Sequence, residues 1–283
     1  MAAQTVPFSQ RSVTQSLQQY GRGVAGGLIF SLPLLYTMEM WWTGLVAHAD
    51  RLIACVVVTF FLLLGYNRYA GMRRDATGLE VAIDSVEEMG LGLVVATAVL
   101  FLLGQLSLDM ATNEIMGKIV VEAMTVAIGV SVGTAQLGSG GDDESAGAGE
   151  EPDFGGQLVI SLCGAVLFAA NVAPTEEIIQ IGFETSTWRL LGMIALSLAL
   201  GALILYGSDF KGAQQLASRR GRFSILRGTI INYGVALVVS ALILWFFGRF
   251  DGLGVLPSLK QIVVLGLPAA LGASGGRLLL QAR

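Results

Sequence analysis

GGLIFSLPLLYTMEMWWTG (26–44) lies without a gap over GAVLFAANVAPTEEIIQIG (164–182), 138 residues further along the chain. Gly26, Phe30, Thr37, Glu39 and Gly44 meet Gly164, Phe168, Thr175, Glu177 and Gly182, and the register runs on to Arg51 with Arg189 and Leu52 with Leu190. GLGLVVATAVLFLLG (90–104) matches GVALVVSALILWFFG (234–248), and IVVEAMTVAIGVSVG (119–133) matches IVVLGLPAALGASGG (262–276). Ordered matches anchored by Gly, Thr, Glu and Arg exceed what a shared apolar bias produces, so the chain reads as a duplication.

Each copy is built from runs that are apolar on every face. Of the 283 residues 54% are hydrophobic and 13% charged, with a mean hydropathy of +0.69. Runs of membrane-spanning length fall near 24–43, 52–66, 89–106, 119–137, 157–179, 190–206, 230–248 and 261–280. Backbone groups in lipid must be bonded within their own segment, and the ten-residue alternation of a barrel is missing. The expectation is an all-α polytopic membrane protein of about eight transmembrane helices, arranged as two parallel four-helix repeats.

The expected boundaries are a polar segment at 1–23, repeat 1 at 24–137, a Gly-rich acidic linker at 138–156 and repeat 2 at 157–283. An even number of crossings puts both ends on one side, and that side then holds 12 of the 17 Lys and Arg residues. Positive loops stay in the cytoplasm, so both termini are expected inside. AHA (47–49) mimics a signal-peptidase site, but removing the first helix would leave its copy unmatched.

Carboxylates at membrane depth are functional candidates because they are costly there. Glu39, Glu176 and Glu177 fall at the outer ends of the first and fifth runs, and Glu122 about one turn into the fourth. Pro33 and Pro174 each deny a helical donor to an earlier carbonyl, leaving a kink and a free oxygen. Asn171 and Thr175 share a helical face beside Pro174. Carboxylate and carbonyl oxygens suit hard cations. A cation site is therefore expected on Glu39 and Glu177, facing each other across a pseudo-two-fold and either able to ligate a metal, with Glu176, Asn171, Thr175 and Glu122 assisting. The competing reading makes these acids solvated interface residues near Trp41, Trp42 and Trp188, and pairs Glu122 with Lys118. Glu87 and Glu88 read as charges at a helix start, and 79–88 and 210–224 as short surface helices.

Enzymatic motifs do not assemble. GVSVG and GASGG fit GxSxG, the latter also resembling the rhomboid protease nucleophile, but the single histidine, His48, falls in the first outer loop, away from Ser274. Gly129 with Gly133 and Gly272 with Gly276 read instead as GxxxG helix-packing pairs. No lysine or histidine falls mid-span to hold retinal or haem, Cys55 and Cys163 read as packing residues, and HExxH and Walker A patterns are missing. No enzyme activity, resident cofactor or nucleic-acid partner is expected. The partners are the lipid bilayer and a small bound cation, and the architecture is compatible with a homo-oligomer.

Through NVAPTEE and YTMEMWW the chain resembles a bacterial family of integral membrane proteins of unassigned function, over most of its length, and that resemblance implies a multi-pass place in the bacterial cytoplasmic (inner) membrane. The Thr, Pro and Glu segments are also chemically similar to those of cation and calcium exchangers, whose repeats are inverted. The expected function is a transporter or channel for a small cation, Ca²⁺ or another divalent ion or one coupled to H⁺. The alternative is a non-transporting assembly or sensory protein.

Overall fold

The computed structural model describes residues 13–70, 76–107, 109–137, 154–212 and 222–281. Ten α-helices and no strands occur among them. They are α1 (Val13–Leu35), α2 (Met38–Val46), α3 (Ala49–Tyr69), α4 (Gly78–Leu102), α5 (Thr112–Leu137), α6 (Phe154–Ala170), α7 (Glu176–Glu184), α8 (Thr187–Gly212), α9 (Arg222–Phe246) and α10 (Val255–Gln281). The all-helical, polytopic membrane architecture is that of the sequence reading. Two of the eight expected helices differ: the runs 24–43 and 157–179 are each two helices with a break between.

The breaks have a local cause. Pro33 sits in the last turn of α1, Thr37 is the N-cap of α2, and the axes of the two helices differ by 84°. In the second half α6 stops at Ala170, before Pro174, and Thr175 is the N-cap of α7. The two threonines that match in sequence are thus the two N-caps, and Glu39 and Glu177 stand in the first turns of the short helices, where the helix dipole favours acids. By length and composition α3, α4, α5, α8, α9 and α10 can cross a membrane, and the count rises to seven where the bent pair α1–α2 is taken as one span. α6 has 17 residues, about 25 Å at ~1.5 Å per residue, which is short of a bilayer core.

The remaining helices are longer than their apolar cores suggest. α4 begins at Gly78 because Thr77 and Glu80 form a capping box, each side chain accepting from the other's backbone N–H. Residues 79–88 therefore belong to a long helix and are not a separate surface helix. Of 210–224, residues 213–221 lie outside the described residues, as do 138–153 of the expected linker, whose last three residues are the start of α6.

Both halves use one packing scheme. α5 packs on α1, α2, α3 and α4, and α10 packs on α6, α7, α8 and α9. The helices approach through glycine: a Cβ on Gly133 would lie 2.3 Å from the Gly26 Cα, and one on Gly272 would lie 2.2 Å from the Gly164 carbonyl oxygen. A Cβ on Gly129 would meet Phe30, and one on Gly272 also meets Phe168, the residue that matches Phe30. Gly276 lies in α10. The halves join through α6, which packs against α3 and α5. A two-fold would also press α1 on α8 and α10, and no comparable packing occurs there among the described residues. Ile29 of α1 is accordingly 65% exposed, whereas Leu167, its match in α6, is 2% exposed.

Candidate functional site

Polar groups gather at three levels. The first lies on the side carrying the α1–α2 corner. In the turn after α9, Arg249 donates to the carbonyl oxygen of Pro174, in the break between α6 and α7. Partial burial lowers the pKa of this guanidinium, and the charges of Glu176 and Glu39 act in the opposite direction. Two of the sequence-predicted acids therefore act electrostatically on a cation belonging to the protein. Glu177 is exposed, as is Glu176, while Glu39 is half-buried. Arg51 adds a second link to the same turn, reaching Asp251 at 3.8 Å and lying 5.9 Å from the Trp245 ring centroid.

The broken helices also meet near this level. Asn171 is in a turn, not on a helical face with Thr175. Its Nδ2 donates to the Phe30 carbonyl of α1 at 3.1 Å and to the Leu167 carbonyl at 2.6 Å, while its Oδ1 is buried without a partner. Thr175 donates its hydroxyl to the Val172 carbonyl, and Thr37 to that of Pro33.

At the second level Glu122 is 0% exposed, and neither carboxyl oxygen has a hydrogen-bond partner. The pairing with Lys118 is not made, because Lys118 Nζ donates to the Gln105 carbonyl at 3.0 Å. Lys118, Glu122 and Val126 are successive residues on one face of α5. Lys118 lies against Gly44 of α2 and Val126 against Gly27 of α1. Glu122 is thereby held at the inside of the α1–α2 corner.

The third level lies on the opposite side, where α1 begins and α3 and α5 end. Asn67 of α3 is its hub. Its Nδ2 donates to Glu88 Oε2 at 2.7 Å and to Ser85 Oγ at 3.1 Å, and its Oδ1 accepts from Ser131 Oγ at 2.9 Å. Ser85 and Ser131 are 0% and 1% exposed. Asn67, Glu88 and Ser131 line a pocket whose wall also includes Asp84, Glu87 and Thr134, and Ser85 lies behind Asn67. Glu88 is ten residues into α4, about 15 Å from its start at ~1.5 Å per residue. It is not the helix-start charge that the shorter 89–106 span implied.

The second half holds a reduced version of this cluster. Ser274, the match of Ser131, is approached by Asn232 Nδ2 at 3.5 Å, and Asn232 Oδ1 accepts from Ser161 at 3.1 Å. With the 90–104 and 234–248 register extended by two residues, Asn232 stands where the first half has Glu88. The serines of the two GxSxG matches are thus hydrogen-bonded structural positions, joined to a carboxylate in one half and an amide in the other.

Asn67, Ser85 and Arg249 were not singled out in the sequence, and Glu88 was read only as a helix-start charge. The T-x-x-E pattern at 77–80 is the signal that would have moved the start of α4 and placed Glu88 inside it. Arg249 had no such signal, because its partners lie 75 residues away and further.

No curated protein and no solved structure gives a significant match to the chain. The profile of one family, described as "Putative integral membrane protein (DUF2391)", matches residues 19–280. Spanning nearly the whole of a chain whose helices have membrane-crossing length, that match makes the protein a member of this integral membrane family.

Proposed function

We propose that the protein moves a small cation across a bacterial cytoplasmic membrane, along a path through its first half. The observation that carries this reading is the open pocket in which the Glu88 carboxylate is held by Asn67, beside Ser85 and Ser131. A carboxyl group held by an amide donor at membrane depth is costly to keep there, and intramembrane acids of this kind mark ion or proton pathways. Asp84 and Glu87 draw cations to the pocket mouth. Glu39, Glu176 and Glu177 serve the opposite mouth, where Arg249 occupies the acid layer until it is displaced. The excess of Lys and Arg supports a cytoplasmic position for the pocket side.

Proteoliposomes test this with Ca²⁺, Mn²⁺, K⁺ and H⁺ offered in turn. Flux that is lost in Glu88→Asn, a change that copies the second half, supports the path. Absence of flux for every ion removes the transport reading. The presence of Arg249 among the outer acids favours a second reading, a sensory or assembly protein in which an external cation or a partner replaces the arginine without flux.

A further inference from the structure

Glu122 has a companion. Gly27 of α1 lies against Val126 and Val130 of α5, and Gly23 lies against Thr134, so the two helices run antiparallel. One turn beyond the Gly27–Val126 contact stand Ser31 and Glu122. Both are 0% exposed, and neither the Ser31 hydroxyl nor the Glu122 carboxyl has a hydrogen-bond partner. Their matches in the second half are Ala169 and Leu265, which are fully buried in one apolar cluster with Ala165 and Ala173. The same corner is therefore packed with hydrocarbon in one half and holds a hydroxyl and a carboxyl in the other. A packing requirement alone is already met by alanine and leucine.

The surroundings select the ligand. Along the facing stretches 23–35 of α1 and 89–102 of α4 no residue is ionisable. Of the other elements packed on α5 nearby, α2 carries Glu39, α3 carries Asp50, Arg51 and Cys55 at this end, and α6 carries Cys163. Lys118, one turn away on α5, is engaged by the Gln105 carbonyl. Ca²⁺ needs six to eight oxygens and Mg²⁺ an octahedron, and no cluster of three His, Cys, Asp or Glu residues suited to a metal occurs among the described residues. A proton needs one carboxylate. A neutral carboxylic acid is also the form of this side chain that a dry, unpaired site tolerates.

We infer that Glu122, with Ser31 as its neighbour, is an occluded proton-binding site at the α1–α2 corner. It deepens the proposed transport by naming H⁺ as a bound ion, and rests on that reading only for the use made of the proton. The acid is loaded as a neutral carboxyl, and it releases its proton when the corner opens to water.

Infrared difference spectroscopy at neutral pH, on the full chain in lipid nanodiscs, tests this without any flux. Native minus Glu122→Leu is expected to contain the carbonyl band of one neutral carboxylic acid, and native minus Glu39→Gln to lack it. Where Glu122→Leu alone does not fold, Ser31→Ala with Glu122→Leu reproduces the second half's pair, and Glu122→Gln preserves the shape. A difference spectrum with only ionised carboxylate bands, or with no carboxyl band, overturns the assignment. If the band is present but native proteoliposomes move no ion, the proton site stands and the transport reading alone falls.

Discussion

Asn67 and Glu88, on neighbouring helices α3 and α4, are joined by a 2.7 Å hydrogen bond from the amide nitrogen to the carboxylate. Asn67 also accepts from Ser131 of α5, so one side chain ties three helices together at the pocket. Replacing it by leucine leaves Glu88 and Ser131 without that partner in a largely buried position. The expected loss is about 1–3 kcal/mol of stability, read as a lower unfolding temperature in detergent. Asn232→Leu acts on the reduced cluster of the second half and is expected to have the smaller effect, because no carboxylate is orphaned there.

Arg249 gives a second prediction. Arg249→Ala removes the donor from the Pro174 carbonyl and the positive charge whose field acts with Glu39 and Glu176. Thermal unfolding is expected to show a loss of about 1–3 kcal/mol. Glu177→Gln, which alters an exposed acid, is expected to stay within about 0.5 kcal/mol of native.

The glycine contacts separate packing from propensity. Gly133→Ala forces α5 off α1, because the new methyl would sit 2.3 Å from the Gly26 Cα. The expected loss is about 1–3 kcal/mol. Gly90→Ala and Gly192→Ala meet nothing within 4 Å. Both lie inside helices, and each should gain up to about 1 kcal/mol from helix propensity. Equal effects at all three positions would show that α1 and α5 do not approach through glycine.

Thr77→Ala removes the capping hydroxyl that starts α4 and is expected to lower stability by about 1 kcal/mol. Amide hydrogen exchange checks the location of the loss, which should appear first at the α4 N-terminus near Glu80.

The helices were legible because a lipid-facing span is apolar all round, and hydropathy alone finds such runs. The breaks at Pro33–Thr37 and at 171–175 were not, because a proline inside an apolar run looks the same whether the helix bends or stops. What distinguishes them is tertiary: α2 and α7 lie against α5 and α10, and Gly44 and Gly182 permit the approach to Lys118 and Gln261. Among the site residues, the acids were visible as rare charges in apolar sequence. Their partners were not, since Asn67 and Ser131 are 64 residues apart and Arg249 lies in a turn of the other half. The exchange of Ser31 and Glu122 for Ala169 and Leu265 could be read from the repeat alignment alone, but its meaning depends on burial.

Cation flux into proteoliposomes, for native protein beside Glu88→Asn, is the most direct test of the account. It predicts that the native protein moves at least one of Ca²⁺, Mn²⁺, K⁺ or H⁺ and that Glu88→Asn, folded to the same unfolding temperature within a few degrees, is slower by about tenfold or more, the loss expected when an interaction of ~1.4 kcal/mol or more is removed. Flux that is unchanged in the variant, or no flux of any of these ions in the native protein, would contradict it.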